Sequence, residues 1–265
     1  MNIFWREMKA SRKSLLLWIV GIAAMVGSGM GKFSGMKESG DAMSGLMADM
    51  PKALQAVFGM NGLDISTVTG YYGMLYLYLL IMAAVHASML GANVLAKEER
   101  DKTAEFLLVK PVSRMRLLLE KLLAIALQIG LFTAAMTVCS IGFVAQYADD
   151  ASRVTEDILR FMAGMLFVQS VFASVGLAIA ASIRNAKRAV ASSACVMLLT
   201  FLLSVIIDIS GKLGFASFLT PFQYFAARDI LEDGLSPAYA ALSVTLALTA
   251  LVVAFRSYGR RDMQI

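Results

Sequence analysis

Six long apolar runs separated by short polar segments set the pattern of this chain: 14–33, 71–96, 117–147, 158–183, 189–209 and 238–255. An α-helix rises 1.5 Å per residue, so about 20 mainly apolar residues cross a hydrocarbon core of about 30 Å. Each run meets or approaches that length; the last is the shortest. The pattern predicts an all-α membrane protein of six transmembrane helices in a single domain over 1–265. Hydrophobic residues make up 58% of the chain and charged residues 16%, which leaves little material for a separate globular domain.

Charge orients the runs. Of 24 Lys and Arg residues, seventeen fall in four segments: Arg6 to Lys13, Lys97 to Lys121, Arg184 to Arg188, and Arg256 to Arg261. The segments between carry the other seven, with twelve acids. Basic loops stay cytoplasmic, so both termini and the segments after the second and fourth runs are expected inside. The net charge of +5 is then a topology signal and gives no single basic face for nucleic acid. A cleaved signal peptide fits the first run less well. The run continues through Gly27, Gly29 and Gly31 with no Ala-x-Ala site, and its removal would upset the charge alternation.

Aromatic residues mark the boundaries. Trp5 and Trp18 bracket the entry of the first run, and Tyr71, Tyr72, Tyr76 and Tyr78 crowd the start of the second, where headgroup anchoring is expected. Small residues four apart suit close helix packing: Ala23, Gly27, Gly31 and Gly35 in the first run, and Ser170, Ser174, Ala178 and Ser182 in the fourth. Cys139 and Cys195 lie inside runs with neither metal spacing nor a disulfide framework, and read as packing residues. His86 is the sole histidine and shares a helical face with Tyr72, Leu79 and Asn93. A polar group in a span faces protein or water. His86 and Asn93 therefore either hydrogen-bond between helices or line a substrate pathway. Gln128 and Gln169 are the other clear polar groups inside the runs.

No catalytic constellation is present: there is no HExxH, GxSxG or GxGxxG, and no metal site is expected. Gly31-Lys32 and Gly211-Lys212 both lack the first Gly and the final Ser or Thr of a phosphate-binding loop. The chain is not expected to be an enzyme.

The densest signal is the segment 97–116. Glu98, Glu99, Arg100 and Asp101 continue the second run as charged helix. Thr103, Glu105, Phe106, Leu107 and Leu108 then form an amphipathic turn that Pro111 ends, and Ser113 can cap the next helix. Such a turn below a membrane either docks a soluble partner or is a solvated loop that only fixes topology.

This stretch resembles the first cytoplasmic loop of type-2 ABC transporter permeases, where an acidic, basic and Thr-containing run leads into Leu-Leu and Pro-x-Ser-Arg. Phe4-Trp5-Arg6-Glu7-Met8-Lys9 is similar to that family's interface helix before the first span. Met50-Pro51-Lys52-Ala53-Leu54, Phe58-Gly59 and Gly70-Tyr71 resemble its outer segment before the second span. Thr220-Pro221-Phe222-Gln223-Tyr224-Phe225 resembles the segment before the sixth. Ala104 stands where many relatives carry Gly. The resemblance implies a transmembrane permease subunit that exports a substrate across the cytoplasmic membrane, paired with a second permease subunit in a homo- or heterodimer. It implies a separate cytoplasmic ABC ATPase subunit, with ATP and Mg on that partner and no cofactor in this chain. Residues 97–116 are the implied coupling loop, with Glu98, Glu99, Arg100, Asp101, Thr103, Glu105, Phe106, Leu107 and Leu108 at the contact. Residues 1–13 are the implied amphipathic interface helix, with Ile3, Phe4, Trp5 and Met8 against lipid and Arg6, Lys9 and Lys13 at its anionic headgroups. The segment 210–237 is expected to form short outer or re-entrant helices. A non-transporting membrane scaffold or immunity-type protein is the alternative. The modest mid-span polarity suits an amphipathic or apolar substrate such as a peptide antibiotic or lipid.

In a cysteine-free background, single cysteines at Ser11, Ser113 and Ser257 are expected to react with impermeant thiol reagents only from the cytoplasmic side. Cysteines at Ser39, Ala151 and Ser236 are expected to react from outside; external labelling at Ser113 would reverse the whole assignment.

Overall fold

Each of the six apolar runs forms a long helix. The computed structural model describes residues 3–38, 50–100, 114–183 and 185–260. Its long helices are α1 (Ile3–Glu38), α3 (Val68–Arg100), α4 (Arg114–Val144), α5 (Ala151–Ser182), α6 (Ala186–Ser210) and α9 (Pro237–Arg260). The shortest, α9, has 24 residues, enough for about 36 Å. All six are long and apolar enough to span a membrane. Short helices α2 (Lys52–Val57), α7 (Pro221–Tyr224) and α8 (Ala227–Glu232) lie between them. Among the described residues there is no strand.

Local chemistry sets the ends. The Asp150 carboxylate accepts from the Ser152 and Arg153 amides at 3.0 and 3.2 Å, starting α5 ahead of its apolar run. The Asn185 side chain caps α6 through the Arg188 amide at 3.1 Å. Gly211 ends α6 with a φ of 59°, which only glycine adopts cheaply. The N-terminal segment is helical as expected and runs without a break into the first span.

Successive long helices run in opposite directions. Glu7 near the start of α1 meets Lys97 at the end of α3 and Lys121 near the start of α4. Ser182 at the end of α5 lies 3.2 Å from Ser257 at the end of α9. These ends define the basic end of the bundle. At the opposite end Phe33 packs on Tyr71 and Tyr147, and Tyr224 stacks on Tyr239.

Helices α3 and α5 form the centre. In each, 67% of the most apolar stretch is buried, against 22% in α1 and α6 and 11% in α9. Their backbones touch. A Cβ added at Gly91 would fall 2.1 Å from the Ala173 carbonyl oxygen, and one at Gly176 would fall 2.5 Å from that of Ser88. A hydrogen bond between the Ser88 and Ser193 hydroxyls, at 2.7 Å, ties α6 to this crossing. The closest approach lies beside the expected ridge of α5, where Ser174 and Ala178 are buried and Ser182 meets Ser257 of α9. Gly27 meets the Phe143 ring, but a side chain at Gly31 would face open space. Ser170 is exposed and bonds its own helix at Leu166.

The tyrosines at the start of α3 are core residues, contrary to the anchoring expectation. Tyr71, Tyr72 and Tyr76 are buried. Tyr71 donates to the Gly29 carbonyl at 3.1 Å and Tyr72 to the Ser140 hydroxyl at 2.6 Å, while Tyr76 lies against Phe161. Burial between helices is available to Tyr71 and Tyr72 because their hydroxyls find acceptors on α1 and α4, whereas the Tyr76 hydroxyl has none among the described residues. Trp18 likewise packs inward on His86 and Phe132, whereas Trp5 stays exposed. Cys195 is exposed on α6, so it does not pack within this chain.

The segment after α6 turns back along it. Thr220 donates to the Thr200 carbonyl at 2.8 Å, ten residues, or about 15 Å, before the end of α6. Phe222 packs between Phe172 and Phe201, and Phe225 stacks on Phe167. The α7 wedge therefore folds back between α5 and α6; of the outer or re-entrant helices that the resemblance implies, the contacts favour the second.

Replacing Gly91 or Gly176 with Leu is expected to cost about 1–3 kcal/mol or more, because backbone atoms must move apart. Lower melting temperature and loss of monodisperse protein in size-exclusion chromatography would show it. Gly31→Ala is the control and is expected to leave both unchanged.

Candidate functional site

The basic end carries the strongest electrostatic construction. Glu7 is 2% exposed and Lys121 is 0% exposed. Lys121 Nζ lies 3.4 Å from Glu7 Oε1 and donates to the Val94 carbonyl at 2.6 Å. Lys97 donates to Glu7 Oε2, and Arg6 reaches Oε1 at 3.5 Å. One carboxylate on α1 thus binds the last turn of α3 and the second turn of α4. A second carboxylate works in the other direction: Glu120 on α4 accepts from the Ile3 and Phe4 amides at 3.1 and 3.3 Å. The first amides of a helix point outward from it, and a negative charge at a helix start is favourable.

This clasp brackets the segment expected to couple to a partner. Glu98, Glu99 and Arg100 are helical at the end of α3. Asp101, Thr103, Glu105, Phe106, Leu107 and Leu108, and the cap expected at Ser113, lie outside the described residues. The structure therefore places the two posts of that segment and joins them through Glu7.

The pathway residues separate. His86 is buried, stacks on Phe132 at 4.4 Å and meets Trp18 edge-on at 5.6 Å. Its Nδ1 is without a hydrogen-bond partner among the described residues. Asn93 is half-buried two turns further along α3. Neither lines the two cavities at the far end. Gln169 is also buried; its carbonyl oxygen accepts from Thr133 at 2.7 Å and its amide nitrogen has no partner among the described residues.

At the end opposite the clasp, a cavity of about 480 Å³ lies between α2, α3, α6 and the α7–α8 wedge. Its polar wall centres on Gln223, which donates to Asp208 Oδ1 at 2.8 Å and to the Ser204 hydroxyl at 3.0 Å. Its apolar wall includes Tyr76, Leu77, Phe222 and Phe225. A charged cleft of about 660 Å³ adjoins it and shares Gly62, Leu63 and Arg228. Burial pushes the Asp229 carboxyl up, against the opposing pull of Arg228 beside it. Among the described residues no group of three His, Cys, Asp or Glu side chains converges as a metal site.

Sequence reasoning missed Glu7, Lys121 and Asp208 as site residues. Each left a signal. Glu7 is the sole acid before Glu38, Lys121 stands inside an apolar run, and so does Asp208. An ionisable residue inside a span marks function or a buried partner.

Six long apolar helices, antiparallel in turn and locked at one end by buried ion pairs, make this a multi-pass membrane protein. A family model described as an ABC-2 family transporter protein matches residues 1–263, and the chain belongs to that family. It is accordingly a membrane transport component. No curated protein matches the chain.

Glu7→Ala removes the buried carboxylate that Lys97 and Lys121 share and is expected to cost about 3–5 kcal/mol. Glu7→Leu combined with Lys121→Met is expected to recover much of that loss. Melting temperatures of the single and double variants test it; additive losses would mean that the two charges are not coupled.

Proposed function

We propose that the chain is the permease subunit of an ABC exporter in a bacterial cytoplasmic membrane, driven by ATP hydrolysed on a separate ATPase subunit and paired with a second permease subunit. The observation that supports this most is family membership over residues 1–263 in a chain with no phosphate-binding loop sequence. Such a chain needs an outside source of free energy. The 97–116 segment is the proposed receiver: Glu98, Glu99, Arg100 and Asp101 register the contact, and Phe106, Leu107 and Leu108 supply an apolar anchor. Because Glu7 joins Lys97 to Lys121, a push on this segment moves the ends of α1, α3 and α4 together. ATPase closure then biases two arrangements of the helices, which is what alternating access requires. His86 and Asn93 are the proposed route residues on α3.

Replacing Phe106 and Leu107 with Ser and Glu105 with Lys is expected to leave membrane insertion intact and abolish ATPase co-purification or substrate-stimulated hydrolysis. Unchanged complex and coupling would remove this segment as the transmission element. Insertion with no ATPase partner even for the native sequence would favour the scaffold reading. Changing His86 and Asn93 to Leu is expected to reduce transport at unchanged folded yield; parallel loss of both would mark them as packing residues.

A further inference from the structure

The cavity beneath the α7–α8 wedge has a chemistry that neither the clasp nor the coupling segment uses. Asp208 sits in the last turn of α6 and is exposed to it. Its one hydrogen bond partner among the described residues is the Gln223 amide, a neutral donor at 2.8 Å. No basic side chain pairs with it among the described residues. Arg228, the nearest basic group on α8, is engaged by Glu232 at 3.0 Å. The other acid on the cavity wall is Asp229, close enough for its charge to act on Asp208. Lys52, on the first turn of α2, is the remaining basic group of the lining. An unpaired carboxylate fixed by an amide, with a second carboxylate nearby, leaves an attraction for a cation unsatisfied.

A second, independent feature points to an organic ligand rather than a simple ion. Tyr76 lines the same cavity, is 1% exposed, and its hydroxyl has no hydrogen-bond partner among the described residues. A buried hydroxyl without a partner is costly, and a bound polar group relieves that cost. Around these groups the wall is aromatic and aliphatic, through Tyr76, Leu77, Phe222 and Phe225. A volume of about 480 Å³ falls within the range of small-molecule sites, and apolar walls with a few placed polar groups are their usual composition. Aromatic faces also attract cations.

We propose that this cavity binds a small amphipathic organic cation, its charged nitrogen on Asp208 beside Gln223 and its apolar body against Tyr76, Phe222 and Phe225. The charged cleft that shares Gly62, Leu63 and Arg228 is its approach from water. Binding here needs neither ATP nor a partner, so the proposal stands or falls separately from the exporter reading.

The test uses the full chain in lipid nanodiscs with ethidium as probe, followed by fluorescence anisotropy. Saturable binding is expected, weakened about tenfold or more by Asp208→Asn, the scale of a lost charge-assisted hydrogen bond. Tyr76→Phe is expected to weaken it a few-fold. Fluorescein, an anion of similar size, is expected not to bind saturably. A second measurement covers the case in which Asp208→Asn does not fold. In a background with Cys139 and Cys195 replaced by Ser, Ser217→Cys places a thiol on the cavity wall, and ethidium is expected to slow its labelling. No saturable ethidium binding, equal binding by Asp208→Asn, equal binding of fluorescein, or no protection of the thiol would each overturn the proposal.

Discussion

Backbone contact between α3 and α5 is the constraint on which the bundle depends. At Gly91 and Gly176 the two helices approach until carbonyl oxygens fill the space of missing side chains. In lipid, apolar side chains gain little by leaving one apolar surroundings for another, so close packing and polar contacts must hold helices together. This crossing supplies both, since the Ser88–Ser193 bond lies beside it and recruits α6. Helix α9 packs on the far side of α5, and α4 carries α1 against the same pair. The outer helices keep broad apolar surfaces, which in a membrane is no liability.

Charge does at the basic end what small residues do at the centre. Burying Lys121 and Glu7 is unfavourable singly and tolerable together, with the Val94 carbonyl accepting a further hydrogen bond from the ammonium. The arrangement is directional. It binds three helix ends on one side of the molecule and leaves the opposite end to a looser construction of short helices, glycine turns and cavities. Stiffness and openness are thus separated along the long axis.

The number of long helices was legible because span length is set by bilayer thickness, which sequence records directly; their ends were less so, since α1 begins eleven residues and α5 seven before their apolar runs. Short outer or re-entrant helices over 210–237 were implied by the family resemblance, and which of the two they form depends on contacts with α5 and α6 that the segment itself does not record. Helix partners were not. Spacing of small residues marks surfaces that can approach, yet a side chain at Gly31 would meet open space, while the closest contacts between helices fall at Gly91 and Gly176, which the spacing does not mark. Nothing local distinguishes them, because the matching surface lies on another span. Glu7 shows the same limit: its partners are 90 and 114 residues away. His86 was recognised as unusual, but its aromatic neighbours Trp18 and Phe132 come from two other helices.

The Ser88–Ser193 bond also has a consequence in time. Its partners are 105 residues apart, and ribosomes add about 5–20 residues per second, so Ser88 enters the membrane roughly 5–20 s before its partner exists. During that interval the polar and glycine face of α3 stands open to lipid or to the insertion machinery. Helix α5, made in between, covers Gly91 first. The centre of the bundle is therefore assembled late relative to its first half, and a nascent chain that stops short of α6 carries a half-built seam that any small-faced helix nearby can occupy.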